Sequence, residues 1–260
     1  MVSPSRDVRQ SMTDLRVGSD FTEDAYRELL RLARDRHVFR LFADAIEMTS
    51  GVLWRHDIDM SVHRALALAR IEHAEGIRAT YFVYLHSTFY NALEPGIAAR
   101  LREIVELGHE LGLHFDPQFH AVTPRDGAAV ERAVAAERDV LQQLVGAPAT
   151  AVSFHDPDIA GFTDVPADRI AGLVNAYGPA IRSGFTYCSD SNGYWRFTPL
   201  REVLGTAGAG KLHVLTHPEW WVPEPMAPRD RVARAIDGRA AAAGERYDTA
   251  LKTLGRNNVR

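Results

Sequence analysis

The chain has a single cysteine, Cys188, in 260 residues, so no disulfide can form within it and a thiol nucleophile would lack a positioned partner. No run approaches the roughly 20 apolar residues that a membrane-spanning helix needs. Net charge is slight, formally −4, without the basic excess of a nucleic-acid-binding face. Met1 to Arg16 is polar and mixed in sign, without the apolar core of a signal peptide, so a cytoplasmic setting with no membrane partner is expected. No G-x-G-x-x-G follows a strand pattern, no complete G-x-x-x-x-G-K-[ST] phosphate loop occurs, and G-x-S-x-G is missing, so the common nucleotide-binding and serine-hydrolase signatures find no match. What remains is an ordinary globular composition, 46% apolar and 25% charged, long enough for one α/β core.

The apolar pattern repeats. Met1 to Gly18 reads as a loose arm, followed by an amphipathic helix over Phe21 to Arg36 capped by Thr22. We therefore divide the chain into an arm and packing helix, 1–48, and a catalytic domain, 49–260. Gly51 to Trp54 opens a strand that ends in Arg55-His56-Asp57-Ile58-Asp59, and Ser61 caps the helix behind it. Ala79 to Leu85, His109 to Phe115, Ala151 to His155, Ile181 to Tyr187 and Leu212 to Thr216 read as further strands. Helices are expected from Pro95 to Gly108, from Thr123-Pro124 to about Val145, and from Arg229 to Ala243. Strands fed by helices predict parallel βα units. About six strands fall short of the eight of a full barrel, which favours an incomplete (β/α) barrel or an open sheet.

Charged and imidazole groups gather at the carboxyl ends of four of these strands, where such folds hold their active sites. Buried there, they are costly unless a metal or a reaction uses them. Asp57 and Asp59 point the same way on extended backbone and repel unless a cation or a proton lies between them. The bland alternative is that Asp59 merely caps the next helix. Arg55 is placed to hold one of the carboxylates, while His56 alternates away from them into a structural hydrogen bond. Gly108-His109-Glu110-Leu111-Gly112-Leu113-His114 is no zinc-protease helix, since its histidines are five apart and glycines weaken any helix there. As a strand it delivers His114 to the end as a metal ligand, with Asp116 or His120 in the following loop completing the set. His155 is either a polar satisfier or a supporting or substrate-binding group. Asp190 could orient His217 as a carboxylate fixes an imidazole tautomer. Trp195, Trp220 and Trp221, with Tyr194, could form an aromatic wall for a sugar-like face or ordinary core.

At these residues the chain resembles the polysaccharide deacetylase superfamily, the NodB-homology or carbohydrate esterase family 4 fold, over Gly51 to Glu224. The resemblance implies a distorted, incomplete (β/α) barrel of the NodB-homology type. It also implies one divalent metal ion, with zinc foremost and iron, nickel, cobalt or manganese as alternatives, and removal of an acyl group from a saccharide or small sugar-like amide. It assigns Asp57 as proton acceptor, Asp59 and His114 as metal ligands, His217 in Leu215-Thr216-His217 as general acid, and Asp190 as its orienting carboxylate. The chain departs from the family pattern in three places. Ile58 separates aspartates that are usually adjacent, so Asp57 and Asp59 could exchange roles. Gln118 stands where a second metal histidine is expected. Phe154-His155-Asp156-Pro157 replaces an arginine-containing motif. Rival expectations are another metal hydrolase or isomerase on a barrel, and an inactive carbohydrate-binding protein.

Overall fold

Strands apolar along their whole length must be covered on both faces. The computed structural model describes residues 21–195, 197–206 and 210–259 and covers them in that way. One sheet is formed by β1 (Phe39–Arg40), β2 (Gly51–Ile58), β3 (Thr80–Val83), β4 (Glu110–Phe115), β5 (Ala149–Phe154), β6 (Arg169–Ile170), β7 (Leu173–Asn175), β8 (Thr186–Ser189) and β9 (Lys211–Thr216). Its order is β6-β7-β5-β4-β3-β2-β9-β8, with β1 paired to the start of β2. The described pairings are parallel apart from β6 with β7. The end strands β6 and β8 are not paired with each other, so the curled sheet stays open: an α/β fold of the distorted, incomplete barrel kind.

Alternation gives each strand two environments. Leu53, Arg55 and Asp57 of β2 face the hollow of the sheet, with Gly112 and His114 of β4 and Ala151 and Ser153 of β5. Val52, Trp54, His56 and Ile58 face the helices, and Trp54 belongs to the main buried cluster while Leu53 joins the inner one. Gly112 is required by close approach, because a Cβ there would stand 2.6 Å from the Phe82 ring. Helices Val62–Ala74, Pro95–Glu106 and Gly127–Val145 cover the outer face. Ser61 caps the first by accepting from Arg64 N at 3.2 Å, which frees Asp59 from a capping role. Glu110 accepts from the backbone N–H groups of Phe42 and Ala43 and from Thr80 Oγ1, tying the segment after β1 to the bottom of the sheet.

The helix expected over Phe21 to Arg36 runs from Glu23 to Arg34, with Thr22 as its cap and Tyr26, Leu29, Leu30 and Ala33 buried. The arm Met1 to Gly18 lies outside the described residues. Local expectations differ from the structure in three places: the start of one helix, the segment at Ile181 and the end of the closing helix. The helix expected from Pro124 starts at Gly127, because Asp126 takes the cap and accepts from Ala129 N at 3.0 Å. Ile181 belongs to a short helix, Pro179–Arg182, rather than a strand, since Gly178-Pro179 opens a helical turn and extended backbone resumes only at Thr186. The β6–β7 hairpin has no Asn-Gly signal; Ala171 and Gly172 supply its two positive-φ residues. The closing helix continues from Pro228 to Thr253, and no described helix is both long and apolar enough to cross a membrane.

Candidate metal centre

β2, β4, β5 and β9 end on one side of the sheet, around a cavity of about 590 Å³ lined by Asp57, Asp59, His114, His155, His217 and Trp220 among others. There Asp59 Oδ1 lies 3.2 Å from His114 Nε2 and 3.7 Å from His155 Nδ1, and the two imidazole nitrogens face each other at 3.4 Å. Asp59 Oδ1 is buried, yet neither imidazole meets it at hydrogen-bonding geometry. Ligands bonded to a tetrahedral zinc at about 2.1 Å stand about 3.4 Å apart. One carboxylate oxygen and two imidazole nitrogens, all mutually within 4.8 Å, fit such an ion in both spacing and chemistry. Burial would raise the pKa of Asp59, but His114, His155 and His217 hold it well below the usual carboxylate range.

The ring of His114 is fixed from behind. Its Nδ1 is 2.7 Å from Ser153 Oγ and 3.7 Å from Asp57 Oδ2, so Asp57 and Asp59 stand on opposite sides of one imidazole. Arg55, fully buried, donates from Nη2 to Asp57 Oδ2 at 3.1 Å and to Tyr177 Oη at 3.0 Å. Across the cavity, His217 Nδ1 is 2.7 Å from Asp190 Oδ1, and its Nε2 lies 3.9 Å from Asp59 Oδ2. Asp190 also accepts from His217 N and from Trp221 Nε1. Burial disfavours charge on His217, but the hydrogen bond and charge of Asp190, with Asp59 beyond it, lift the imidazole to about 10.

Neither residue expected to complete the ligand set joins this cluster. The Asp116 carboxylate accepts from Gln118 N, Phe119 N and Tyr84 Oη, which commits it to shaping the loop. That loop carries His120 to the outer side, where its ring lies parallel to Phe115 at 5.0 Å and its Nε2 meets Glu137. His155 stands in the third position instead. It follows β5 and is presented by Asp156, whose left-handed backbone (φ 43°, ψ 53°) departs from the extended form a following proline favours. Tyr84 stacks on the His155 ring at 4.4 Å and holds its plane.

The aromatic wall divides. Trp220 lines the cavity, whereas Trp221 is core and hydrogen-bonds Asp190, and Trp195 stacks on Phe21 at 5.3 Å. Cys188 is buried and its thiol is pushed up to about 12 by that burial, which suits packing and not nucleophilic attack. Sequence reasoning passed over Glu219, a buried carboxylic acid raised well above the usual range by burial and by Asp59. It also missed Ser153 and Tyr84, whose only signals were their places one residue inside β5 and one beyond β3.

No family model matches the chain, and no curated protein does. Solved structures do. The Xyl-CE4 domain of a multidomain xylanase from the hindgut metagenome of Trinervitermes trinervoides is similar at 13% identity and a TM-score of 0.42, over 82% of this chain and 95% of that one. A family 4 acetyl xylan esterase from Clostridium thermocellum, in complex with a cobalt ion, aligns at 15% identity and a TM-score of 0.37, over 74% and 84%. A CE4 family pseudoenzyme from Bacillus anthracis aligns at 12% and 0.42, with this chain covering 62% of its length. These are loose likenesses to members of the family that the sequence motifs resemble. The chemistry of the site rests on the chain's own residues.

Proposed function

We propose that the chain is a metal-dependent hydrolase that removes an acyl group, N-acetyl or a related one, from a sugar or sugar-like amide. One observation carries this reading. Asp59, His114 and His155 converge donor atoms on one point, and the Asp190–His217 pair faces that point across the same cavity. Asp59, His114 and His155 would hold the ion, which when bound polarises a carbonyl and lowers the pKa of water. Asp57 lines the cavity and takes the proton of the attacking water, while Arg55 and Ser153 keep its carboxylate in place. His217 remains protonated through neutral pH and gives its proton to the departing amine or alcohol. Asp190 orients that imidazole through Nδ1 so that Nε2 faces the substrate. Trp220 and the half-buried Phe185, which line the same cavity, suit the apolar side of a sugar ring.

A second reading, a saccharide-binding protein without turnover, has one observation on its side. The buried Arg55 guanidinium pairs with Asp57 Oδ2 at 3.1 Å and so already occupies the carboxylate that would act as base. Acetate release from N-acetylated sugars separates the two. We expect release that is blocked by a chelator and restored by zinc or cobalt, and that falls about 10²–10⁴-fold in both Asp57→Asn and His217→Ala. Near-normal turnover in both variants would remove the hydrolase reading, and saccharide binding without acetate release would establish the second.

A further inference from the structure

We infer that His86, His120 and Glu137 form a second divalent-metal site, separate from the candidate hydrolytic centre and structural in role. Among the described residues they are the other group whose histidine and carboxylate donor atoms all lie within 4.8 Å of one another. His86 comes from the segment after β3, His120 from the loop after β4, and Glu137 from the middle of helix Gly127–Val145. His86 Nε2 lies 2.8 Å from Glu137 Oε1, and His120 Nε2 meets the same oxygen. Glu137 is 5% exposed, and its second oxygen, Oε2, is buried with no hydrogen-bond partner.

Two imidazoles on a single carboxylate oxygen make a poor end state for an ion pair. They leave Oε2 desolvated and unanswered, which is unfavourable for a carboxylate. A cation among the three answers it. The imidazole planes are already set: His86 stacks on Phe119 at 3.5 Å, and His120 lies parallel to Phe115. Ring planes already held by neighbours leave less side-chain freedom to lose when an ion binds. Both histidines are part-exposed, 24% each, so the ion keeps an open side for water or a further ligand. Two histidines and a carboxylate select zinc or another first-row divalent ion over calcium or magnesium.

The position explains what such an ion would do. Tyr84, two residues before His86, covers the His155 ring, and Ser87 donates to the Asp59 carbonyl at 2.7 Å. Asp116, four residues before His120, holds the Tyr84 hydroxyl. The ion therefore clamps to the long helix two loops that shape the cavity.

Zinc ion alone, added to the metal-free full chain, tests the inference by calorimetry and by elemental analysis after gel filtration. Wild type should bind about two equivalents, and an Asp59→Ala/His114→Ala variant about one, which reads the second site without the first. Adding Glu137→Gln to that variant should weaken the remaining zinc affinity by about 100-fold or more. Glu137→Gln in an otherwise unchanged chain should lower wild-type stoichiometry from about two to about one, with the Asp59 site still loaded. A folded Asp59→Ala/His114→Ala variant that retains no zinc would overturn the inference whatever becomes of the hydrolase reading. So would zinc binding in it that Glu137→Gln leaves unchanged.

Discussion

The two faces of β2 bury charge in opposite ways. Toward the helices, His56 Nε2 lies 2.7 Å from Glu72 Oε1 and its Nδ1 2.7 Å from Thr216 Oγ1. Tyr81 donates to Glu72 Oε2 at 2.6 Å, Tyr26 donates to Glu72 Oε1, and Trp54 Nε1 donates to Tyr26 at 2.8 Å. None of these side chains has a buried polar atom left without a partner. On the hollow side, one and three residues away from His56, Arg55 leaves Nε and Nη1 without partners and Asp59 leaves Oδ1 so. Polar groups that satisfy one another specify packing. Polar groups buried without partners are tolerated where a ligand or a reaction answers them. The same strand therefore serves as a structural anchor on one face and a reactive wall on the other, and alternation keeps the two apart.

Removing Asp59 is expected to have the largest effect and to be almost purely functional. Asp59→Ala should lose the candidate metal and with it turnover, by more than the about 10–100-fold that losing an outer-shell partner costs, while the melting temperature of the metal-free protein hardly moves. Elemental analysis beside a thermal melt checks both halves. A large loss of apo stability would mean that the hollow face is structural too. Glu72→Ala should do the reverse. Stranding His56 and two tyrosines should cost about 3–5 kcal/mol in denaturant unfolding, with zinc stoichiometry at low temperature unchanged.

Ser153→Ala sharpens the contrast within the reactive wall, since it removes the hydroxyl that fixes His114 Nδ1. Zinc affinity at the Asp59 site should fall about 10–100-fold by calorimetry, with little change in unfolding free energy. The smallest effect is an acid dependence. Burial opposes the charge of Glu72, but His56, His109 and Tyr26 outweigh it and depress its pKa below the usual value. A depressed carboxylate contributes stability that is complete above its unfolded value, about 4.5, and disappears as pH falls through the folded one. Melting temperature should therefore decline on acidification below about pH 4.5, with a shallower decline in Glu72→Gln.

The local sequence was most legible where one face and one end of a strand decide the outcome. Period-two alternation separated Asp57 from His56, and the carboxyl-end rule brought Asp59, His114, Asp190 and His217 toward one region of the fold. Capping hydroxyls and prolines placed most helix starts, although Asp126 displaced the cap expected at Thr123 by three residues. The arc from Ile170 to Tyr187 was the least legible. Its strands are two to four residues long and its hairpin uses alanine where asparagine is the usual signal.

By itself the sequence determined the α/β plan, the faces of its strands and the chemical types brought to one end, because these follow from local periodicity and from where buried charge is tolerable. The tertiary structure alone decided that His155 and not His120 stands beside Asp59 and His114. A loop's residue spacing does not say to which side of the sheet it folds. Here Asp116, Tyr84 and Phe115 turn the loop outward, and His120, one of the two ligands the loop offered, ends on Glu137.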